Sequence, residues 1–114
     1  MIDIDTRVLS GGVVRVSVAG EIDLNTLPTL DGALASAVGR QGVTGVEVNL
    51  GGVTFCDSAG FASLDRAYGV ARKRSLAFRV IDVQPRIRRM LAILGLLEGL
   101  TGEKTIDEGG RPDL

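Results

Sequence analysis

The segment Asn49–Ala67, NLGGVTFCDSAGFASLDRA, holds the side chains with the most chemical promise. An apolar run ending in Val53-Thr54-Phe55-Cys56 breaks into Asp57-Ser58-Ala59-Gly60, and a helical pattern starts at once. A carboxylate beside a hydroxyl at such a junction has two readings. Asp or Ser ahead of an apolar-periodic run caps a helix, its oxygen accepting from a first-turn N–H that has no other partner, worth ~1 kcal/mol. Alternatively, Ser58 is chemically modified, at a helix start whose amides and dipole favour an anion.

What the chain lacks narrows the chemistry. It has no histidine and one cysteine, so there is no Ser–His or Cys–His dyad, no thiolate zinc site and no internal disulfide. A G-x-S-x-G elbow is absent, and Lys73 falls at the far end of the helix from Ser58, so a hydrolase has no base. There is no G-x-x-x-x-G-K-[ST], and GEIDLN offers too few glycines to cradle a phosphate. No cofactor and no enzymatic activity are expected.

A net charge of −1 over 114 residues gives no reason to expect nucleic acid or an acidic membrane. With 45% apolar and 24% charged residues, the composition is that of one globular domain. No apolar run approaches the ~18 residues of a membrane span. Met1–Asp5 is acidic and carries no leader-like segment, and a lone cysteine suits a reducing compartment, so the expected location is cytoplasmic.

The elements that must position the junction are legible as periodicities. Ile2 and Ile4 alternate with Asp3 and Asp5; after Ser10-Gly11-Gly12, Val14, Val16 and Val18 alternate with Arg15 and Ser17. That predicts an N-terminal hairpin. Gly20-Glu21-Ile22-Asp23 ends its second strand, and Asn25 or Thr26 caps a helix with Pro28 in its first turn and Leu27, Leu30, Leu34 and Val38 on one face. Val46, Val48 and Leu50 start a strand that continues to Cys56. Phe61, Leu64, Tyr68 and Ala71 mark a second helix with Tyr68 in the core, and Leu76–Ile81 a further strand. Pro85 opens a third helix with Ile87, Met90, Leu91 and Leu94 inward and Arg86, Arg88 and Arg89 outward, stopped by Gly95. Leu96, Leu97 and Leu100 add a short strand or packing turn. Strands alternating with helices after a hairpin predict a mixed α/β sheet whose later strands are parallel. Loops 20–26 and 57–61 should then meet at one sheet edge, where open α/β sheets place function.

Three motifs in order resemble a known family. GEID after a valine-rich strand, LGGVTFCDSAG, and QPRIRRMLAILGL together resemble the bacterial anti-sigma factor antagonists of the STAS family, over roughly residues 8 to 100. The resemblance implies a STAS-like single domain over 1–101, with a mixed four- to five-stranded sheet and three or four helices; beyond Thr101 the chain is polar and glycine-rich, so a flexible tail is expected over 102–114. The resemblance also implies an anti-sigma factor antagonist that binds an anti-sigma factor serine kinase, releases a sigma factor for transcription, and is switched off by phosphorylation of Ser58. A serine phosphatase would reset it, and the protein would be a monomer or weak dimer.

Partner-binding positions carried over on the motifs are Glu21, Asp23, Asn25, Thr26, Asp57, Ser58, Ala59, Gly60 and Phe61. Asp23 is expected near Ser58, Glu21 on the same face or ordering the loop, Asp57 orienting the Ser58 hydroxyl or meeting the kinase, and Gly60 allowing close backbone approach. Ala59 stands where the family often has a second Ser or Thr, which leaves Ser58 as the only hydroxyl of Asp57-Ser58-Ala59-Gly60. The tail lacks the apolar periodicity of a closing helix. Related domains also serve as scaffolds in signalling assemblies, an alternative role for the same fold.

Overall fold

The computed structural model describes residues 1–103; the tail expected over 102–114 lies outside the described residues from position 104 on. Strand β1 (Ile2–Val8) and β2 (Val13–Ile22) form the expected hairpin, joined by a 3-10 turn at Ser10–Gly12. Helix α1 (Leu27–Gly39) leads to β3 (Gly45–Cys56), α2 (Ser58–Lys73) to β4 (Ala77–Ile81), and α3 (Pro85–Ile93) and α4 (Leu97–Thr101) close the fold. The sheet order is β1-β2-β3-β4, with β1 antiparallel to β2 and the other pairs parallel. Each parallel pair is bridged by one helix, α1 or α2, and those two helices pack on each other.

Alternation along the strands divides the sheet into two faces. Val14, Val16 and Val18 on β2, Val46, Val48 and Leu50 on β3, and Phe78 and Val80 on β4 are buried in one core with Leu30, Leu34, Phe61 and Leu64 from the helices. The alternate set includes Asp5, Arg15, Ser17, Glu47 and Arg79, and Arg15 donates two hydrogen bonds to Glu47 across the β2–β3 register. One wet face and one dry face explain the apolar–polar alternation.

Four local readings need correction. Neither Asn25 nor Thr26 caps α1 through its side chain; the Asp23 carboxylate closes the turn ahead of it instead. Tyr68 is half-buried rather than core, edge-on to Phe78 with the Arg72 guanidinium over its ring. On α3 only Ile87 and Leu91 are buried; Met90 and Leu94, at 38% and 46% exposed, lie on the outer side of a helix too short to cover both its flanks. The final leucines form α4, not a strand: Gly95 ends α3 in a left-handed turn, with Gly95 N–H donating to Ala92 and Leu96 N–H to Leu91, and a new helical turn follows. Gly102 and Glu103 are tied down, the first by its N–H to the Glu98 carbonyl and the second by Arg88.

Leu64 is fully buried between α2 and the sheet. Leu64→Ala is expected to lower stability by about 2–5 kcal/mol through lost transfer energy and a residual cavity, read from the urea midpoint at unchanged slope.

Candidate functional site

The β2–β3 pairing sets the site's geometry. The register slips between Ser17 and Ala19 and again between Gly20 and Glu21, then resumes with Glu21 opposite Phe55 and Ile22 opposite Cys56. One residue on, Asp57 N–H donates to the Ile22 carbonyl at 3.0 Å. The two loops expected to meet at the sheet edge do so through that backbone bond.

Gly20 has a φ of +104°, and a Cβ there would sit 2.3 Å from the Met1 carbonyl oxygen. No side chain fits, because Glu21 N–H reaches back to that same oxygen at 2.9 Å. Gly60 serves close approach of another kind: a Cβ would lie 2.5 Å from Ile22 Cγ2 and 2.6 Å from Cys56 Sγ. Its bareness lets the first turn of α2 press onto the paired ends of β2 and β3.

The loop after β2 is held by its own side chains. Asp23 Oδ1 accepts from Asn25 N–H at 2.9 Å and Thr26 N–H at 3.1 Å. Thr26 Oγ1 accepts from Asp23 N–H and donates to the Glu21 carbonyl, both at 2.9 Å. Thr26 is 8% exposed, so it braces the loop from beneath. Glu21 and Asn25 are exposed, Asp23 half-buried, and Glu21 lies 3.6 Å from the N-terminal ammonium.

At the other loop the two readings of Asp57-Ser58 separate by residue. Asp57 is the helix cap, its Oδ1 accepting from Gly60 N–H at 3.0 Å. Ser58 is the first helical residue and is exposed, and no hydrogen bond holds its hydroxyl among the described residues. No hydrogen bond joins the Asp57 carboxylate to the Ser58 hydroxyl; Asp57 Oδ1 serves the cap. The N–H groups of Ser58 and Ala59, in the first turn, have no intrahelical acceptor and so suit an anion borne by Ser58. Ala59 is half-buried, whereas Gly60 and Phe61 (2% exposed) lie below the surface and shape the site without forming its outer face.

Two apolar side chains not expected at the site are exposed beside it: Leu24 at 72% and Phe55 at 49%. An apolar residue inside the polar loop GEIDLN was the available signal for Leu24. For Phe55 the signal was its phase along the strand: it falls in step with Glu47 and Asn49 and out of step with the buried Val46, Val48 and Leu50, and the two register slips cancel in phase. The site thus presents an unengaged hydroxyl, the carboxylates of Glu21, Asp23 and Asp57, and two exposed apolar groups. Among the described residues no helix is long and apolar enough to cross a membrane.

Comparison with known proteins gives a consistent picture. The family described as "Mlab, STAS domain" matches residues 6–102. The chain is 31% identical over 82 residues to the anti-sigma-B factor antagonist of Staphylococcus epidermidis, covering 72% of this chain and 75% of that one. It is similar to the crystal structure of an anti-sigma factor antagonist from Mycobacterium paratuberculosis, with a TM-score of 0.77 and 29% identity over 88% of this chain and 83% of that one. The unphosphorylated form of SpoIIAA has the same fold, with a TM-score of 0.75 at 16% identity over 94% and 91% of the two chains.

Burial pushes the Cys56 thiol up from 9.0 to about 12, with a further contribution from the Asp57 carboxylate. Native protein should therefore resist thiol alkylation at mildly alkaline pH and react once unfolded. Because the folded state holds this proton more tightly than the unfolded chain, its contribution to stability is complete below pH 9 and is lost as pH rises towards about 12. Cys56→Ala should flatten that part of a stability–pH curve.

Proposed function

The chain belongs to the STAS domain family, and we propose that it acts as an anti-sigma factor antagonist whose binding state is set at Ser58. The observation that carries the reading is the division of labour at the start of α2: Asp57 does the capping, and Ser58 is left exposed with its hydroxyl unengaged. A helix cap needs only the first of these. A relative that is 31% identical bears the antagonist name, which supports extending that role to this chain.

In this reading the unphosphorylated protein binds an anti-sigma factor serine kinase through loops 20–26 and 57–61, and a sigma factor is released. Leu24 and Phe55 supply apolar contact, and Glu21 and Asp23 supply charge. The kinase transfers a phosphoryl group to Ser58 Oγ, adding ~−1.5 to −2 charges. The N-terminus of α2 tolerates them, so the helix should persist. The partner face does not: it already holds three carboxylates, and new charge and bulk where two proteins meet costs affinity at tenfold per ~1.4 kcal/mol. A serine phosphatase restores the binding form. The protein is the substrate of both enzymes and not itself an enzyme, and it works in the cytoplasm with the transcription machinery.

Co-expression with an anti-sigma kinase from the same genome should add one phosphate, ~80 Da by intact mass. Ser58→Ala should remove that gain and keep the complex, and Ser58→Asp should weaken the complex at least about tenfold. No phosphate, with equal binding by wild type, Ser58→Ala and Ser58→Asp, would return the junction to a helix cap alone.

A further inference from the structure

A cleft of about 230 Å³ opens between α1 and α2, away from the start of α2 and unused by the reading above. Arg66 and Val70 on one side of α2 and Arg74 just past its end recur at four-residue spacing, and Leu34, Ala35 and Val38 face them from α1. The floor is apolar: Leu34 and Val38 are buried, and Val70 remains 42% exposed although it lies between packed helices. Short side chains at Ala35 and Ala67 leave the room.

The charges of the cleft do not cancel. Asp31 accepts a hydrogen bond from Ser63 and lies 3.6 Å from Arg66, which accounts for one guanidinium. Arg74 has no carboxylate within ion-pair range among the described residues. Its Nη1 donates to the Val38 carbonyl at 3.3 Å, which fixes the guanidinium at the mouth and leaves its other N–H groups available. A fixed guanidinium beside an apolar floor is the arrangement that takes a carboxylate by a two-pronged hydrogen bond while the rest of the ligand leaves water.

We propose that this cleft binds a small amphipathic monoanion, a carboxylate carried on an apolar body about the size of one aromatic ring. Volume sets the size: an apolar cavity of about 150 Å³ in another protein holds benzene, and this cleft is larger by room for a short acidic arm. Arg74 takes the carboxylate, and Leu34, Val38 and Val70 enclose the body. The site is independent of phosphorylation at Ser58, and its test involves neither kinase nor sigma factor.

The test is a two-dimensional amide NMR titration of the full chain with 3-phenylpropionate and, separately, its neutral amide. Saturable shifts confined to residues of α1 and α2 that line the cleft are expected at millimolar probe, with the amide about tenfold weaker. Arg74→Gln should bring the acid down to the affinity of the amide, and Ala35→Leu, at an exposed position, should fill the cleft and abolish the shifts. Equal binding of acid and amide, shifts elsewhere, or no saturation would overturn the proposal. So would concentration-dependent shifts at the cleft without probe, which would give it to a second copy of the chain.

Discussion

One backbone hydrogen bond, from Asp57 N–H to the Ile22 carbonyl, fixes where everything at the site must be. It extends the parallel β2–β3 ladder one residue past its last pair and ties the loop leaving β2 to the start of α2. Around it the chain accepts no extra atoms: Gly60 has no space for a methyl group against Ile22 and Cys56, and Gly20 none against Met1. Asp57 and Thr26 then satisfy the polar groups that the two chain reversals leave over. Ser58 stands exposed because every neighbour with a structural duty already has a partner.

This arrangement explains how one site can be both rigid and switchable. The frame beneath the surface is apolar and closely packed, with Ile22, Phe61 and Cys56 held against one another's elements. The surface above is a short loop, a helix start, three carboxylates and two exposed apolar side chains. In the proposed reading, a charge added at Ser58 would meet helix amides on one side and a binding partner on the other. Its cost would then fall on the complex and not on the fold, and such a switch would need no conformational change in the frame.

Much of this was legible in the residues. The hairpin, the alternation of strands and helices, and the meeting of loops 20–26 and 57–61 followed from period-two valines and three- and four-residue leucine spacing. Where the reading failed, tertiary geometry had decided the outcome. The pattern of α3 places Met90 and Leu94 beside Ile87 and Leu91, but a nine-residue helix against a sheet edge buries one narrow stripe. Thr26 and Asn25 look like caps, yet the Thr26 hydroxyl is taken up by Asp23 N–H and the Glu21 carbonyl, and Pro28 in the first turn has no N–H to offer a cap. The cleft between α1 and α2 had no local signal, since it depends on Ala35 of α1 meeting Arg66, Ala67 and Arg74 of the α2 segment in space.

Phosphorylation at Ser58, as proposed, changes a surface and leaves the frame alone. Amide hydrogen exchange on the protein before and after quantitative phosphorylation of Ser58, each alone and with its anti-sigma partner, tests this most directly. The expected result is unchanged protection in β2, β3 and the body of α2 in the free protein, local change at loops 20–26 and 57–61, and loss of the partner's footprint on phosphorylation. Loosened exchange through α2 and the β2–β3 ladder, or an undiminished footprint, would contradict it.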